Sequence, residues 1–494
     1  MKKGFSNEKY VELQSEKIIE RINLFDNKLY LEFGGKLFDD LHASRVLPGF
    51  LPDTKVKLLQ KLKDKAEIIV IINAGDIERK KIRADYGITY DMDVLRLIDN
   101  LRSMDIYVSA IVITQYTGQP SAEMFQKKLL IRNERVYIHK NIKGYPNDVD
   151  TIVSDNGYGA NPFIETTRPL VVVTAPGPGS GKLATCLSQL YHEHKRGIKA
   201  GYAKFETFPI WNLPLKHTVN IAYEAATADL KDVNMIDPYH LDSYSISTVN
   251  YNRDIEAFPV LNTILSKITG DQFSYKSPTD MGVNMAGYCI TDDSACRDAA
   301  KQEIIRRSYK AWCDYKNGIA NIDTAHRVDA LMKEVGATKE DRPVVAAALE
   351  KATASGYPSI AIQMPDGKII TGRTGEHLNA PAASMINAIK YLAGIRDSLH
   401  LISPLILEPI MQIKTTVLSE SGVKLNLEEA LIALSICAAT NSMVSLALTK
   451  LGELKNVEAH YTKMLSSADE AVFRKLGVNI TCEPEFSSKN LYIK

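Results

Sequence analysis

The chain has 494 residues, enough for about two or three domains, because single hydrophobic cores stop growing well before that length. Its 45% of hydrophobic and 24% of charged residues are ordinary for a globular protein. Because 60 Lys and Arg nearly balance 59 Asp and Glu, the composition gives no reason to expect nucleic acid or an anionic membrane as a partner.

The chain also carries no signal for export or membrane insertion. Its basic start (MKKGF) is not followed by the apolar core of a signal peptide, and no apolar run reaches the roughly 20 residues that span a bilayer. The six cysteines form no CxxC pair, which argues against a structural zinc site and a disulfide framework. We therefore expect a cytoplasmic, multidomain homo-oligomer that contacts neither membrane nor nucleic acid.

Apolar runs alternate with amphipathic segments over the first part of the chain. The runs predict strands over 29–33, 67–72, 106–113, 136–139, 170–173 and 200–205. The amphipathic segments predict helices over 7–23, 53–64, 91–103, 121–131 and 181–196. This alternation predicts an α/β fold with a mostly parallel sheet covered on both faces, in which ligands bind at the carboxyl ends of the strands.

The second part begins with helical patterns and ends in a smaller α/β unit. Helices are predicted over 295–315, 323–335 and 342–354, and again over 380–394 and 427–451. Between them, Asp366-Gly367 separates two alternating runs and predicts a hairpin. We expect an α/β domain over 1–293, a helical middle segment over 294–354 and a C-terminal subdomain over 355–494.

The segment PLVVVTAPGPGSGKLAT, residues 169–185, has the order of strand, glycine-rich bend and helix that a P-loop-like phosphate site needs. In a P-loop, backbone N–H groups surround phosphate oxygens, a lysine adds charge, and a Ser or Thr hydroxyl binds magnesium. The usual pattern is GxxxxGK followed by Ser or Thr. Here Pro176 stands at the first glycine position and Leu183 at the hydroxyl position.

We predict that this bend binds phosphate through Gly177, Gly179, Ser180 and Gly181, with charge from Lys182 and a hydroxyl from Thr185. The alternative is a structural strand–helix corner in which the glycines only permit positive φ. A lysine at a helix N-terminus opposes the helix dipole, which favours the phosphate interpretation.

The continuation GKLATCLSQLYHEHKRGIKAGYAKFETF resembles the opening of the deviant P-loop enzymes that include dethiobiotin synthetase and CTP synthase. This resemblance implies that Lys204 and Glu206 face the transferred group. The later stretch YEAATADLKDVNMIDPYH is similar to the acidic metal and substrate segment of the same enzymes. It implies a catalytic role for Glu224 and magnesium binding by Asp229 or Asp237, with a solvated helix face plus a cap as the alternative.

Three further segments are candidates for substrate contacts. Arg83 belongs to a basic group after the strand at 67–72, where a substrate carboxylate or phosphate could bind; surface ion pairs are the alternative. Asp155 and Asn156 lie just before the strand of the glycine loop. Their segment is rich in Gly and Asn, a composition that is typical of an ordinary surface loop, which is the alternative. Arg253 is a candidate phosphate clamp.

The stretches ADYGITYDMDVLRLID, TAPGPGSGKLAT, AYEAATADLKDVNMIDPYH and VNYNRDIEAFPVL resemble the uncharacterised bacterial protein family 0371, also called domain of unknown function 1846. The resemblance covers nearly the full chain. It implies a cytoplasmic bacterial protein with an α/β N-terminal part and a separate C-terminal subdomain, and it carries no activity over.

The stretch SIAIQMPDGKIITGRTGEHLNAPAASMINAIKYLAG resembles the cytidine-deaminase fold. In active deaminases the helix after the hairpin brings a zinc ligand and a catalytic glutamate. The corresponding residues here are Ala382 and Ser384, and a PCxxC motif has no match. The resemblance therefore implies a deaminase-like scaffold, and we expect no zinc.

The leading hypothesis is an enzyme that binds ATP or another phosphorylated small molecule with magnesium and catalyses phosphoryl transfer or ATP-dependent ligation. One alternative is a non-catalytic sensor of an anionic metabolite. Another is an enzyme that acts on a phosphorylated substrate without a nucleoside triphosphate. The missing hydroxyl at Leu183 favours both alternatives, and the Lys204 and Glu206 pair favours the first hypothesis.

Overall fold

The computed structural model describes residues 2–83, 86–270, 275–418 and 423–488. The chain forms two compact units, Met1–Glu303 and Ile304–Lys494. Each unit has its own hydrophobic core, so each is described by itself. The three-part division expected above stays a prediction. Within the described ranges, no helix combines the length and apolar character needed to cross a bilayer.

The strands of the first unit are β1 Leu29–Phe33, β2 Ala66–Asn73, β3 Ile82–Arg83, β4 Ile88–Thr89, β5 Val108–Thr114, β6 Val136–Ile138, β7 Leu170–Thr174, β8 Gly201–Phe205, β9 Asn234–Ile236, β10 Val249–Tyr251 and β11 Gly282–Val283. Those of the second unit are β12 Ser359–Gln363, β13 Ile369–Arg373, β14 Glu458–Tyr461 and β15 Asn479–Cys482.

The helices up to the start of the second unit are α1 Asn7–Asn23, α2 Leu41–Val46, α3 Thr54–Lys61, α4 Ala74–Glu78, α5 Tyr90–Ser103, α6 Pro120–Ile131, α7 Val149–Ile152, α8 Lys182–Lys195, α9 Thr218–Ala226, α10 Pro238–Tyr244, α11 Asn252–Thr269, α12 Pro278–Met281 and α13 Asp293–Lys316. They are followed by α14 Ile322–Glu334, α15 Pro343–Ser355, α16 Ala380–Leu392, α17 Pro404–Gln412, α18 Leu427–Ala438, α19 Ser442–Thr449 and α20 Ser467–Leu476.

The first unit is built on a seven-stranded sheet in the order β11-β8-β1-β7-β2-β5-β6, and every pairing in it is parallel. All residues of β5 and β7 are buried. Parallel strands covered on both faces read as continuous apolar runs, which is why the sequence revealed them. The predicted α/β fold with a mostly parallel sheet is confirmed.

The order of connections creates a crevice in this sheet. β7 and β2 are neighbours in the sheet, but the chain leaves them in opposite directions. From β2 it continues to β5, towards the β6 end of the sheet, and from β7 it continues past β1 to β8, towards the β11 end. Right-handed crossovers then place α5 and α8 on opposite faces, and α8 packs on β1, β7 and β8 while α5 packs on β2 and β5. Neighbouring strands whose connections diverge leave a ligand crevice at their carboxyl ends. In this sheet the crevice lies between β7 and β2.

The second unit contains a four-stranded sheet in the order β13-β12-β14-β15. The predicted hairpin is confirmed, since β12 and β13 are antiparallel and Gln363 pairs with Ile369 across the Asp-Gly turn. One predicted helix is wrong: the segment 427–451 contains α18 and α19 separated by a break. The side chain of Asn441 caps α19 by accepting hydrogen bonds from the backbone N–H groups of Met443 and Val444.

The fully buried Arg342 connects α15 to this sheet. Its guanidinium pairs with Glu458 and donates to the carbonyl oxygens of Ala459 at 3.0 Å and Asn479 at 2.7 Å. Nε donates to Thr481 Oγ1 at 3.1 Å. A buried charge that loses its partner is strongly destabilising, so this network is a point on which the second unit depends.

Replacing Arg342 with Met should lower the free energy of unfolding of the second unit by about 1 to 3 kcal/mol, because the buried carbonyl groups of Ala459 and Asn479 lose a donor, while Glu458 still pairs with Arg306 at 3.0 Å. Lys463→Met removes an exposed ion pair with Glu485 and should cost less than about 1 kcal/mol. In a Trp211→Phe background, Trp312 fluorescence during urea unfolding reports on the second unit. Equal stability of the two variants would contradict the role given to Arg342.

Candidate functional site

The glycine loop, residues 175–181, leaves β7 at the crevice and leads into α8. Gly179 has φ +72° and Gly181 has φ +88°, while Ser180 between them has a negative φ. Backbone that alternates in this way forms a nest, in which successive N–H groups face one concave side. Only glycine takes up the positive φ values without strain. A nest at a helix N-terminus suits an oxyanion.

Side chains from the neighbouring strand ends hold the carbonyl groups of this loop. Thr114 Oγ1 donates to the Ser180 carbonyl at 2.5 Å, and Asn73 Nδ2 donates to the Gly179 carbonyl at 3.2 Å. In a trans peptide the C=O and the following N–H point in opposite directions. The N–H groups of Ser180 and Gly181 therefore point away from β2 and β5.

Lys182 is the first residue of α8, and its side chain is partly exposed. In the described part of the chain, no ion-pair partner is found for its ammonium group. Because a cation at this end of a helix opposes the dipole, an anion at the loop would relieve the repulsion.

Tyr90, at the start of α5, closes one side of the loop. A Cβ atom added at Gly177 would lie 2.3 Å from Tyr90 Oη, so only glycine fits there. The Lys81 ammonium lies 4.9 Å from the centre of the Tyr90 ring, within range of a cation–π interaction. The basic segment after β2 thus reaches the loop through Lys81.

Arg83, predicted to bind substrate, lies inside the protein. Its Nη1 is 2.5 Å from Asp93 Oδ2, and both side chains are buried. The other predicted substrate residues lie near the far end of α8, where Asp155 pairs with Lys195 and Asn156 is next to it. The helical rise places Lys195 about 20 Å along the axis from Lys182. The structure therefore does not bring Asp155 and Asn156 to the loop.

Lys204 and Glu206 form an ionic cluster at the carboxyl end of β8. Lys204 Nζ is 2.8 Å from Glu206 Oε1 and 2.5 Å from Asp254 Oδ2. In the sheet register, Lys204 and Val173 both pair with Glu32, so the Lys204 backbone is two strand spacings, or about 10 Å, from the strand that precedes the glycine loop. The cluster and the loop therefore both lie at the carboxyl ends of the parallel strands.

Electrostatics in this cluster favour a charged lysine and a basic carboxylate. Burial opposes the Lys204 charge, but the Asp254, Glu206 and Glu32 carboxylates outweigh burial and raise the lysine pKa. Burial also raises the pKa of Glu206, although Lys204 acts in the other direction. Glu206 Oε2 additionally accepts a hydrogen bond from Trp211 Nε1 at 3.2 Å.

The acidic residues of the segment 223–240 have different surroundings. Glu224 accepts hydrogen bonds from the backbone and side chain of Asn234. The fully buried Asp237 caps α10 and accepts from Thr279 Oγ1 at 2.7 Å, whereas Asp229 is exposed. Across the residues that the structure describes, no group of three His, Cys, Asp or Glu side chains is arranged to hold a metal ion.

The remaining predicted residues also have definite places. Thr185 is buried one turn inside α8. The side chain of Arg253 is 56% exposed and forms a bidentate ion pair with Asp232. Asn73 and Thr114 were missed by the sequence analysis, although the available signal is clear: each ends an apolar strand with a polar side chain.

Comparisons with known proteins cover nearly the whole chain. The family model described as "Domain of unknown function DUF1846, N-terminal" matches residues 3–336, and its C-terminal counterpart matches residues 340–492. A UPF0371 protein of Clostridium tetani is 58% identical over 500 residues, covering 100% of this chain and 99% of the relative. UPF0371 proteins of Clostridium botulinum strains Alaska E43 and Langeland match at the same identity and coverage.

Gly177→Ala should destabilise the first unit by about 1 to 3 kcal/mol, because the new methyl group meets the Tyr90 ring. Combining it with Tyr90→Leu should cost less than the sum of the single changes, as measured by a double-mutant cycle of thermal unfolding. Gly452→Ala, which meets no atom within 4 Å, is the control. Additive costs for Gly177 and Tyr90 would contradict the contact.

Proposed function

The chain belongs to the DUF1846 family, and we propose that its first unit binds a phosphorylated small molecule at the glycine loop. The ligand presents its reacting group to Lys204 and Glu206 at the same edge of the sheet. The observation that carries this proposal is the orientation of the loop, whose carbonyls are held by Thr114 and Asn73.

Three features of the loop support binding of a phosphate group. The N–H groups of Ser180 and Gly181 point away from the residues that hold the carbonyls, and the positive end of the α8 dipole adds to their field. Lys182 supplies a full positive charge at the same helix end. The position at the β7 and β2 crevice is the usual ligand site of an open parallel sheet.

Lys204 and Glu206 suit the chemistry of a transferred group. The charged Lys204 stabilises negative charge that develops on the group, and the Glu206 carboxylate accepts a proton from the attacking atom. These roles correspond to the resemblance with deviant P-loop enzymes. The reaction class is phosphoryl transfer or ATP-dependent ligation, in which positioning and electrostatics supply most of the rate enhancement.

ATP with magnesium is the leading ligand within this proposal. Magnesium is commonly held by substrate phosphates, water and one or two carboxylates, and among the predicted ligands Asp229 is the exposed one. The hydrogen bonds already made by Asp237 and Glu224, together with Leu183 at the hydroxyl position, favour a second candidate. That candidate is a phosphorylated ligand bound without magnesium, either as a substrate or as the signal of a non-catalytic sensor.

For the second unit we propose a deaminase-like scaffold that works without zinc. The antiparallel hairpin of β12 and β13 followed by α16 supports the resemblance. Ala382 and Ser384 are both buried on α16, and a Cβ atom at Gly372 would lie 2.3 Å from the Ser384 nitrogen. This helix face therefore packs on the hairpin at the positions where an active deaminase holds its zinc site.

A cytoplasmic location and self-association complete the proposal. All six cysteines are free thiols, which fits a reducing compartment. Self-association is tested separately by analytical ultracentrifugation, which should give a particle mass that is a multiple of the 54.9 kDa chain.

Lys182→Ala should abolish stabilisation by ATP in a thermal shift experiment with and without magnesium. At a hundredfold excess over the dissociation constant, a bound ligand adds about 2.7 kcal/mol to the wild type. The matched control is Lys195→Ala, at the other end of α8, which should keep the full shift. Without ligand, Lys182→Ala should be at least as stable as the wild type, because the helix loses a charge that opposes its dipole.

Inorganic phosphate and ADP separate the two candidate ligands. A shift with ATP that depends on magnesium supports the first candidate, and a shift with phosphate that is independent of magnesium supports the second. A nucleotide shift that survives in Lys182→Ala, or no shift with any of these ligands, would overturn the phosphate site.

A further inference from the structure

Helices α17, α18 and α19 of the second unit expose an unusual number of large apolar side chains. Eight large apolar residues between positions 404 and 446 are exposed by 43 to 81%, and together they are called the apolar face. The most exposed is Leu405 on α17, a helix that the structure describes in full and in which no residue is buried. Apolar helices of globular proteins normally bury their apolar residues, so a face of this composition indicates an interaction surface.

Polar contacts at both ends hold α17 alongside α18. The backbone N–H of Ser403, just before α17, donates to Cys437 Sγ near the end of α18 at 3.4 Å. In the turn that follows α17, Lys414 Nζ lies 2.6 Å from Glu429 Oε1 in the first turn of α18. The two helices are therefore antiparallel neighbours. Because α19 also packs on α18, the exposed residues lie on adjoining elements of one layer.

The central helix α18 is apolar on two sides. Ala433 and Leu434 are buried in the core of the second unit, whereas Ile432 and Ile436 are exposed by 56% and 50%. Residues four apart lie on the same side of a helix. Ile432, Ile436 and Leu431 line an open groove on that outer side. A helix with two apolar sides is typical of one that packs between two layers, and in the described residues only the inner side of α18 is covered.

The charge pattern of these helices favours a second copy of the chain as the partner. Their charged residues are Glu408, Glu428 and Glu429, and residues 430–449 contain none. Two identical apolar faces without charge meet without like-charge repulsion, as a twofold contact requires. Interfaces between identical subunits are also more apolar than transient interfaces with other proteins. A helix that lies on a membrane surface would carry Lys or Arg beside its apolar side, and 430–449 has neither.

The size of the apolar face also fits self-association. The exposed fractions of its eight residues correspond to roughly 800 Å² of surface, which is about what each partner buries in an interface of standard size. The largest apolar patch on a monomeric protein is usually about 300 to 600 Å². The apolar face is therefore large enough for a stable contact between two chains.

We propose that the apolar face is the contact through which two copies of this chain associate, with Ile432 and Ile436 at its centre. This inference rests on the self-association included in the proposed function and assigns it a place in the fold. The second unit then joins the copies, while the first unit carries the glycine loop. Burial of apolar surface is the main source of stability in such a contact.

Ile432→Lys should separate the copies without disturbing the fold of the chain. The new ammonium group would be buried in the contact on both copies, whereas on the free chain it pairs with Glu428 one turn earlier. Sedimentation velocity on the full chain should give at most half of the wild-type particle mass. The dissociation constant should rise at least about a hundredfold, because each substitution occurs twice in a twofold contact. Leu446→Lys, on α19, should act in the same direction.

Leu349→Lys is the matched control, because Leu349 is a large apolar residue of the same unit that is 41% exposed on α15. This helix packs on Ala361, whereas α18 belongs to the core of Ile360 and Ile362 on the other side of the same sheet. The control should keep the particle mass of the wild type. Since all three replaced residues are exposed, each variant should also keep the wild-type circular dichroism spectrum.

An oligomer that persists in Ile432→Lys and Leu446→Lys would overturn the apolar face as the contact and leave self-association standing. Dissociation of Leu349→Lys as well would contradict the assignment to this face. A monomeric wild type would overturn both the contact and self-association, and flotation of that monomer with phosphatidylglycerol vesicles would assign the face to lipid instead. The phosphate-induced thermal shift, measured on the same proteins, reports separately on the glycine loop.

Discussion

The hydrogen bond from Thr114 to the Ser180 carbonyl is the contact on which the orientation of the glycine loop depends. It joins the carboxyl end of β5 to a loop that leaves β7, and Asn73 at the end of β2 makes the parallel contact with Gly179. Because the peptide is planar, holding its carbonyl also aims its N–H group. Thr114 and Asn73, which lie on strands of the sheet, thereby fix the direction of the N–H groups of Ser180 and Gly181.

The same edge of the sheet has opposite charge at its two ends. Lys182 supplies positive charge at the loop, where Lys81 is paired with Asp76, whereas Glu32, Glu206 and Asp254 outnumber Lys204 at the end of β8. The two ends are separated by about 10 Å at the level of the strands. In the proposed function, the phosphorylated ligand bridges this distance from the loop to Lys204 and Glu206.

Sequence alone predicted the elements whose signal is local. The parallel strands are visible because both faces are buried, and the observed limits of β1 equal the predicted ones. The helix predicted over 427–451 was wrong because apolar spacing continues through a break that the Asn441 cap creates. Contacts that form only when the elements pack together were not predictable. The pairing of Arg83 with Asp93 and the contact of Tyr90 with Gly177 depend on how the elements pack.

The most direct measurement of the phosphate site follows the loop amides themselves. Labelling with 15N-glycine gives signals from the 28 glycines, and alanine variants of Gly179 and Gly181 assign the two that form the nest. Titration with ATP, and separately with inorganic phosphate, should move the Gly181 signal most, with a saturation curve that disappears in Lys182→Ala. A ligand that binds while the signals of Gly179 and Gly181 stay in place would contradict phosphate binding at this loop.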